Sequence, residues 1–251
     1  MRSQPVRRSN PRWPWIAGGV ALFAVALGIV AALAGFFDRD PIHVFAPEGP
    51  ARPVAALYFS GDMGLRFGMG PYTSAALARR GIAVTGFSSP AVFAVHRTRV
   101  EVDAAVANAV RQAMARTGRD RLVLIGQSYG ADILQTGLAA LPAELRPHIA
   151  AVVLVVPGET VFFRADPSGL AYRGAPDSLG ASTVNAIRWA PLTCIYGAAE
   201  TDSLCPAVRL PRATVIRMPG GHFLARDSDG LVGHVVDAVR RAVPAAFAGK
   251  E

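Results

Sequence analysis

The chain carries a serine between two glycines in the stretch RLVLIGQSYGADILQ, residues 121–135. An apolar run precedes the GQSYG pentapeptide and a helix-like segment follows it, which is the strand–turn–helix setting of a GxSxG nucleophile. Gly126 and Gly130 let a strand and a helix approach closely, and Ser128 then presents its hydroxyl at the amino end of that helix. The pattern predicts Ser128 as the nucleophile of a serine hydrolase.

A serine hydroxyl attacks efficiently only when a base removes its proton, so an acid and then a histidine are expected further along the chain. His222 and His234 follow the candidate acids. His234 lies within a predicted helix, where a packed or surface role is expected, whereas His222 follows a strand-like run in the glycine-rich MPGGHFL. We predict His222 as the base.

The acid is expected in the loop GAAETDSLCP, which offers Glu200 and Asp202. A carboxylate there accepts the Nδ1 proton of the histidine, fixes its tautomer and stabilises the imidazolium. Asp202 is the first choice because it lies nearer Cys205, and Glu200 is the alternative.

An oxyanion hole needs two donors. The backbone N–H of Tyr129 is the first candidate, and that of Asp62 or Met63 in FSGDMG is the second, although SGDMG is also compatible with an ordinary turn. A carboxylate beside an oxyanion hole opposes the developing charge, so we hypothesise that Asp62 binds a cationic group of the substrate. Asp132, four residues after Ser128, is expected to have a structural role.

Short apolar runs alternate with helix-length segments over residues 53–247, a rhythm that predicts an α/β fold with a mostly parallel sheet covered on both faces. Residues 158–189 break the rhythm and are expected to form a small lid or insertion over the carboxyl edge of the sheet. Residues 38–52 are rich in proline and charge and are interpreted as a linker, with a short edge strand near residues 42–45.

Residues 16–37 form a run of 22 positions without a charged side chain. A run of this length is sufficient for a transmembrane helix. The leader, residues 1–15, is basic and ends in two tryptophans, so the positive-inside rule predicts a cytoplasmic amino terminus and an exported domain. The expected location is the inner membrane, with a single span and the domain in the periplasm. A signal sequence cleaved near Ala32–Ala34 is the alternative.

Cys194 and Cys205 are eleven positions apart on the exported side, where an oxidising compartment favours a disulfide, with two free thiols as the alternative. The net charge of +8 falls to +4 without the four leader arginines and forms no basic block, so nucleic-acid binding is not expected. No histidine or cysteine spacing suggests a metal or another cofactor.

The segments SGDMG, GQSYGAD, CIYGAAETDSLC and PGGH, in this order, resemble the VirJ/AcvB family of bacterial virulence proteins over most of residues 53–243. The resemblance implies an exported α/β-hydrolase that cleaves aminoacylated phosphatidylglycerol, above all lysyl-phosphatidylglycerol, and it places the nucleophile at Ser128, the acid at Asp202 and the base at His222. Some members of the family are linked to virulence and type IV secretion.

Three positions depart from the family pattern. Met63 and Leu65 stand where a glycine and an aromatic residue are frequent, and Gln127 replaces a common tyrosine. These changes bear on the substrate more than on the reaction. The expected function is therefore hydrolysis of an aminoacyl ester on an anionic phospholipid. The alternatives are a general esterase or lipase, and a catalytically idle binding or chaperone subunit for an exported protein partner.

Overall fold

The computed structural model describes residues 13–247, and its centre is a seven-stranded sheet. The strands along the described chain are β1 (Ile42–Phe45), β2 (Ala55–Phe59), β3 (Ala83–Phe87), β4 (Leu122–Gln127), β5 (Ile149–Val155), β6 (Thr160–Val161), β7 (Ser178–Leu179), β8 (Leu192–Gly197) and β9 (Ala213–Met218). The order in the main sheet is β1-β3-β2-β4-β5-β8-β9, and β6 pairs only with β7. Every pair in the main sheet is parallel except β1 with β3.

The α-helices of the described chain are α1 (Trp13–Leu33), α2 (Gly70–Ala78), α3 (Ser89–Phe93), α4 (Arg99–Thr117), α5 (Tyr129–Leu138), α6 (Gly180–Val184) and α7 (Ser228–Ala242). Short 3₁₀ turns lie at Arg146–His148, Leu170–Arg173, Cys205–Ala207, Leu224–Arg226 and Pro244–Phe247.

Apolar packing on both faces of the sheet explains the continuous hydrophobic strands. All five residues of β2 and all seven of β5 are buried. Helices α4 and α5 pack on one face through residues such as Val106 and Ile133, and α2 and α7 pack on the other through Leu77 and Val235. Strands covered on both sides read as apolar runs rather than alternating ones. The predicted α/β class with a mostly parallel sheet is confirmed.

Helix α1 differs in its bounds from the predicted span of residues 16–37. It ends at Leu33, because the chain turns at Gly35, whose φ is +88°, and the N–H groups of Gly35 and Phe36 donate to the carbonyls of Ala32 and Ala31 at 3.1 Å. Its window Trp15–Leu33 is long and apolar enough to cross a membrane. Most of the basic leader, residues 1–12, lies outside the described residues.

The stretch interpreted as a linker, residues 38–52, is fastened to the domain rather than free. Its strand β1 forms an edge of the main sheet, so the sheet begins inside this stretch. The Asp40 carboxylate accepts from Arg116 at 2.8 Å and from the N–H of Ile42 at 2.9 Å. Further along, the N–H of Arg52 donates to the carbonyl of Gly81 at 2.8 Å. Both ends of the stretch therefore hold fixed positions on the domain.

Cys194 of β8 forms a disulfide with Cys205, as predicted, and both residues are buried. The bond closes a loop between residues 11 positions apart, a size for which the chain-entropy model gives a stabilisation of about 3 kcal/mol. The loop carries both candidate acids, so the disulfide restricts the segment from which the acid must be supplied.

Candidate active site

Ser128 lies on a sharp turn between β4 and α5, in a strained backbone conformation with φ +53° and ψ −128°. Only glycine fits on either side of this turn. A Cβ at Gly126 would lie 2.6 Å from the Cα of Ala131, and a Cβ at Gly130 would lie 2.3 Å from the carbonyl oxygen of Ser60. The two glycines thus allow the close approach of strand and helix that holds the strained turn in place.

His222 lies in the loop after β9, and its Nε2 is 2.8 Å from the Oγ of Ser128. That loop packs tightly on the loop after β8, because a Cβ at Gly197 would lie 2.2 Å from the carbonyl oxygen of Gly221. The N–H of Ala199 also donates to the carbonyl of Gly220 at 2.8 Å. The structure therefore brings the predicted nucleophile and base within hydrogen-bond distance and fixes the base loop to the acid loop.

Glu200 is the carboxylate that contacts the base. Its Oε1 is 2.8 Å from the Nδ1 of His222, and its Oε2 accepts the N–H of Gly197 at 2.8 Å. The side chain is only 5% exposed. Both oxygens of the carboxylate are thereby positioned, and the imidazole ring is oriented with Nε2 toward the serine.

The first choice of Asp202 as the acid is wrong, and the reason lies in the turn that follows β8. The N–H of Glu200 donates to the carbonyl of Gly197 at 3.0 Å, a tight turn that carries residue 200 back over the strand end and toward His222. Asp202 lies two residues beyond it, is exposed, and accepts the N–H of Glu159 through its backbone carbonyl at 2.8 Å. Asp202 therefore lines the cavity beside the insertion instead of orienting the base.

Of the candidate oxyanion donors, the backbone N–H groups of Tyr129 and Met63 line the cavity and have no acceptor among the residues that the structure describes. The N–H of Asp62, the other candidate, faces its own carboxylate. Tyr129 also lies at the amino end of α5, where the helix dipole favours negative charge. Tyr129 and Met63 are thus the better-placed pair of oxyanion donors.

A cavity of about 540 Å³ opens above Ser128. Its lining is acidic and aromatic, and no lysine or arginine occurs among the described residues that form it. The lining includes four carboxylates, which are Asp62, Asp132, Glu200 and Asp202. Besides Tyr58 and Tyr129, it includes four phenylalanine or tyrosine rings, which are Phe67, Phe162, Tyr172 and Phe223. The cavity therefore favours a cationic ligand group and disfavours an anionic one.

Asp62 is held by a tyrosine of the insertion. The hydroxyl of Tyr172 donates to the Oδ2 of Asp62 at 3.2 Å and accepts the N–H of Asp166 at 2.8 Å. Burial raises the pKa of the Asp62 carboxyl, and the hydrogen bond from Tyr172 partly opposes that effect. The Tyr172 ring stacks on that of Tyr129 with centroids 6.3 Å apart and lies 5.3 Å from that of Phe162. A carboxylate and three aromatic rings thus form one wall of the cavity.

Asp132 lies deeper in the same wall and fixes the start of the insertion, since its Oδ1 accepts the N–H of Gly158 at 2.8 Å. Burial raises its pKa well above the ordinary value, and the nearby carboxylates of Asp62, Asp202 and Glu200 raise it further. This contact is a structural one, which is the role expected from the sequence.

The aromatic wall could not be foreseen from the sequence. Phe162 and Tyr172 lie in the segment 158–189, which has no periodicity, and Tyr172 reaches Asp62 across 110 residues. The buried hydroxyl of Tyr129 is a second surprise, because it has no hydrogen-bond partner among residues 13–247. The sequence marked Tyr129 only for its backbone N–H.

The serine on a strained strand-to-helix turn, the later acid and the histidine after the last strand define an α/β-hydrolase. The chain belongs to the family described as bacterial virulence protein (VirJ), whose model matches residues 53–243. The fold predicted from the resemblance, and the resemblance itself, are confirmed.

Solved structures show the same fold at low identity. An esterase domain from Rhodothermus marinus is 18% identical with a TM-score of 0.54, covering 80% of this chain and 91% of its own. An α/β serine hydrolase without a lid from Xanthomonas campestris is 20% identical with a TM-score of 0.55, covering 84% and 90%. Est1E from Butyrivibrio proteoclasticus with ferulic acid bound is 13% identical with a TM-score of 0.56, covering 79% and 94%. No curated protein matches the chain.

The two acids of one loop give a matched test of the triad. We expect Glu200→Gln to lower the rate of p-nitrophenyl acetate hydrolysis by about 10³- to 10⁴-fold, because an amide no longer stabilises the imidazolium. Asp202→Asn, the control from the same loop, is expected to stay within about threefold of wild type, because exposed substitutions that leave the hydrogen-bonded groups in place have small effects. Equal losses in the two variants would contradict the assignment of Glu200.

The buried carboxyl of Asp132 predicts a pH-dependent stability. Because its folded-state pKa is raised, its stabilising contribution is present at low pH and is lost as the pH rises through that raised value. Asp132→Asn keeps an oxygen that accepts the N–H of Gly158 but cannot ionise. We expect the Tm of the variant minus that of wild type to increase as the pH rises from about 4 to 9.

Circular-dichroism melts of the full chain in detergent measure this difference, and Asp120→Asn, the same change at an exposed position, is the matched control. A Tm difference for Asp132→Asn that does not change with pH would refute the electrostatic explanation.

Proposed function

We propose that the protein is a membrane-anchored serine hydrolase of the periplasm that cleaves the aminoacyl ester of an aminoacylated phosphatidylglycerol such as lysyl-phosphatidylglycerol. One observation carries the proposal: the hydrogen-bonded chain Ser128–His222–Glu200 faces a cavity that is lined by carboxylates and aromatic rings and has no lysine or arginine among its described residues.

The reaction follows from the geometry. Ser128 Oγ attacks the ester carbonyl while its proton passes to Nε2 of His222, and Glu200 stabilises the imidazolium through Nδ1. The N–H groups of Tyr129 and Met63 donate to the oxyanion, a contribution of about 10²- to 10³-fold in kcat per donor. His222 then protonates the departing glycerol oxygen. Water hydrolyses the aminoacyl-enzyme by the reverse sequence of proton transfers and releases the free amino acid.

The acyl side of the ester is the part that the cavity suits. An aminoacyl group carries an ammonium, and a lysyl group carries two. Asp62 supplies a carboxylate beside the oxyanion donors, and the rings of Tyr129, Phe162 and Tyr172 add faces that attract a cation. The lipid phosphate finds no lysine or arginine in the described cavity lining, so it is expected to stay outside while the aminoacyl group enters.

Two further features support the location. Helix α1 is long and apolar enough to hold the chain in a membrane, and the disulfide between Cys194 and Cys205 is typical of an oxidising compartment. Together with family membership they support an inner-membrane protein with its domain in the periplasm. No cofactor takes part in the proposed reaction.

A general esterase is the second candidate, favoured by the fold that the chain shares with the Rhodothermus marinus esterase domain. Such an enzyme would treat aminoacyl and plain acyl esters alike. A catalytically idle binding subunit for an exported protein would hydrolyse neither.

The proposal is tested with the purified full chain in vesicles that contain lysyl-phosphatidylglycerol. We expect free lysine to be released, and Ser128→Ala to lower the rate by about 10³-fold or more while its circular-dichroism spectrum stays unchanged. Vesicles with diacylated phosphatidylglycerol lacking the lysyl group serve as the substrate control. Absence of lysine release by wild type, in a preparation that hydrolyses p-nitrophenyl acetate, would favour the general esterase.

The role of Asp62 is tested by its selectivity. We expect Asp62→Asn to lower kcat/KM for lysine p-nitrophenyl ester by about 10- to 100-fold, because a cation loses a partly buried partner. The acetyl ester is expected to change by less than about threefold, since it has no charge to lose. An unchanged preference for the lysyl ester over the acetyl ester would show that Asp62 does not bind the ammonium.

A further inference from the structure

The end of helix α1 is packed on the loop that forms the wall of the cavity. We call residues 61–69, which precede α2, the pocket loop. A Cβ at Gly64 of this loop would lie 2.0 Å from the carbonyl oxygen of Ala34, and Ala34 is buried although most of α1 is exposed. Gly64 also lines the cavity. The same residue therefore contacts the end of the apolar helix on one side and the substrate cavity on the other.

The length of α1 sets the depth of this contact in a membrane. Its 21 residues rise about 31 Å at 1.5 Å each, which matches a hydrocarbon layer of about 30 Å. In a membrane that α1 crosses, Ala34 follows directly and lies where the headgroup layer begins. That layer is about 5 to 8 Å thick on each side of the membrane. Gly64, in contact with Ala34, consequently lies at headgroup depth.

Large apolar side chains lie exposed at the opening and just after the end of α1. Phe67 of the pocket loop and Phe223, next to the catalytic histidine, both line the cavity and are 37% and 75% exposed. Phe37, four residues after the end of α1, is 71% exposed. Phe67 is three residues from Gly64, so its Cα lies within about 11 Å of the Cα of Gly64, the residue that contacts Ala34. Exposed aromatic side chains at this height are typical of a membrane–water interface.

Arg66 adds a cation at the same level. It lines the groove beside Leu33 and Gly35, it is exposed, and it has no hydrogen-bond or ion-pair partner among the described residues. A guanidinium beside the end of a membrane helix is suited to a lipid phosphate.

We infer that the mouth of the cavity, bordered by Phe67 and Phe223, rests in the headgroup layer of the membrane that holds α1, so that a lipid headgroup enters the cavity without leaving the bilayer. The inference deepens the proposed function and rests on it for the identity of the lipid. The partner of this surface is the bilayer rather than a protein, because the surface is continuous with a helix whose apolar side chains are exposed along its length.

Spin labelling tests the position of the mouth without reference to activity. Phe67→Cys and Phe223→Cys are made separately in the full chain, labelled with a nitroxide and reconstituted in vesicles of phosphatidylcholine and phosphatidylglycerol. The native cysteines form a disulfide and leave the new thiol as the labelling site. Glu144→Cys, which precedes β5 at the amino edge of the sheet and is 68% exposed, is the control.

Power saturation compares collisions of each label with oxygen, which concentrates in lipid, and with a water-soluble nickel complex. We call positions 67 and 223, at the mouth of the cavity, the rim positions. We expect the oxygen-to-nickel collision ratio at both rim positions to exceed that at position 144 at least threefold. Equal ratios at all three positions would overturn the inference. Isolation from cells of a mature chain that is cleaved after Ala34, and so lacks α1, would also overturn it. Rim labels that contact water in vesicles but are shielded in native membranes would also overturn it, in favour of a protein partner.

The same preparation distinguishes this inference from the proposed function. If the unlabelled chain releases lysine but the labels at positions 67 and 223 lie in water, the proposed reaction stands and the docking surface does not. Rim labels in lipid without lysine release would retain the surface and remove the proposed substrate.

Discussion

The backbone of Ser128 is the constraint on which the site depends. A residue with a side chain at φ +53° is held there only because β4 and α5 approach each other within distances that exclude a Cβ at Gly126 or Gly130. The turn places the hydroxyl above the carboxyl ends of the strands, in the cavity that Tyr129 also lines, and the Tyr129 N–H has no acceptor among the described residues. Buried strands on both sides of β4 supply the rigidity that keeps the turn from relaxing.

His222, the proposed base, is oriented by a loop that is itself fastened at several points. Glu200 uses one oxygen for His222 and the other for Gly197, so its carboxylate cannot rotate without losing a hydrogen bond. The disulfide holds the far end of that loop against β8. A preorganised acid of this kind needs little rearrangement when the imidazolium forms, which is where electrostatic catalysis gains most.

Local patterns made much of the fold predictable. Helix α4, Arg99–Thr117, shows why: its start and end depend on neighbours in sequence, namely the capping box of Thr98 with Glu101 and the left-handed Gly118. The nucleophile and base also follow strand ends, which sequence patterns reveal. The choice between the two acids depended on how a four-residue turn closes in space, and nearness to Cys205 was a misleading guide.

Long-range contacts lay beyond sequence reasoning. Tyr172 meets Asp62 across an insertion without periodicity, and Ala34 meets Gly64 although one belongs to the helix end and the other to a loop of the domain. The contact between Ala34 and Gly64 changes which substrate concentration the enzyme responds to. In the arrangement inferred above, the site encounters its lipid by lateral diffusion in two dimensions. Saturation of the enzyme is then governed by the mole fraction of the lipid substrate in the leaflet, and diluting the vesicles in buffer does not change that mole fraction.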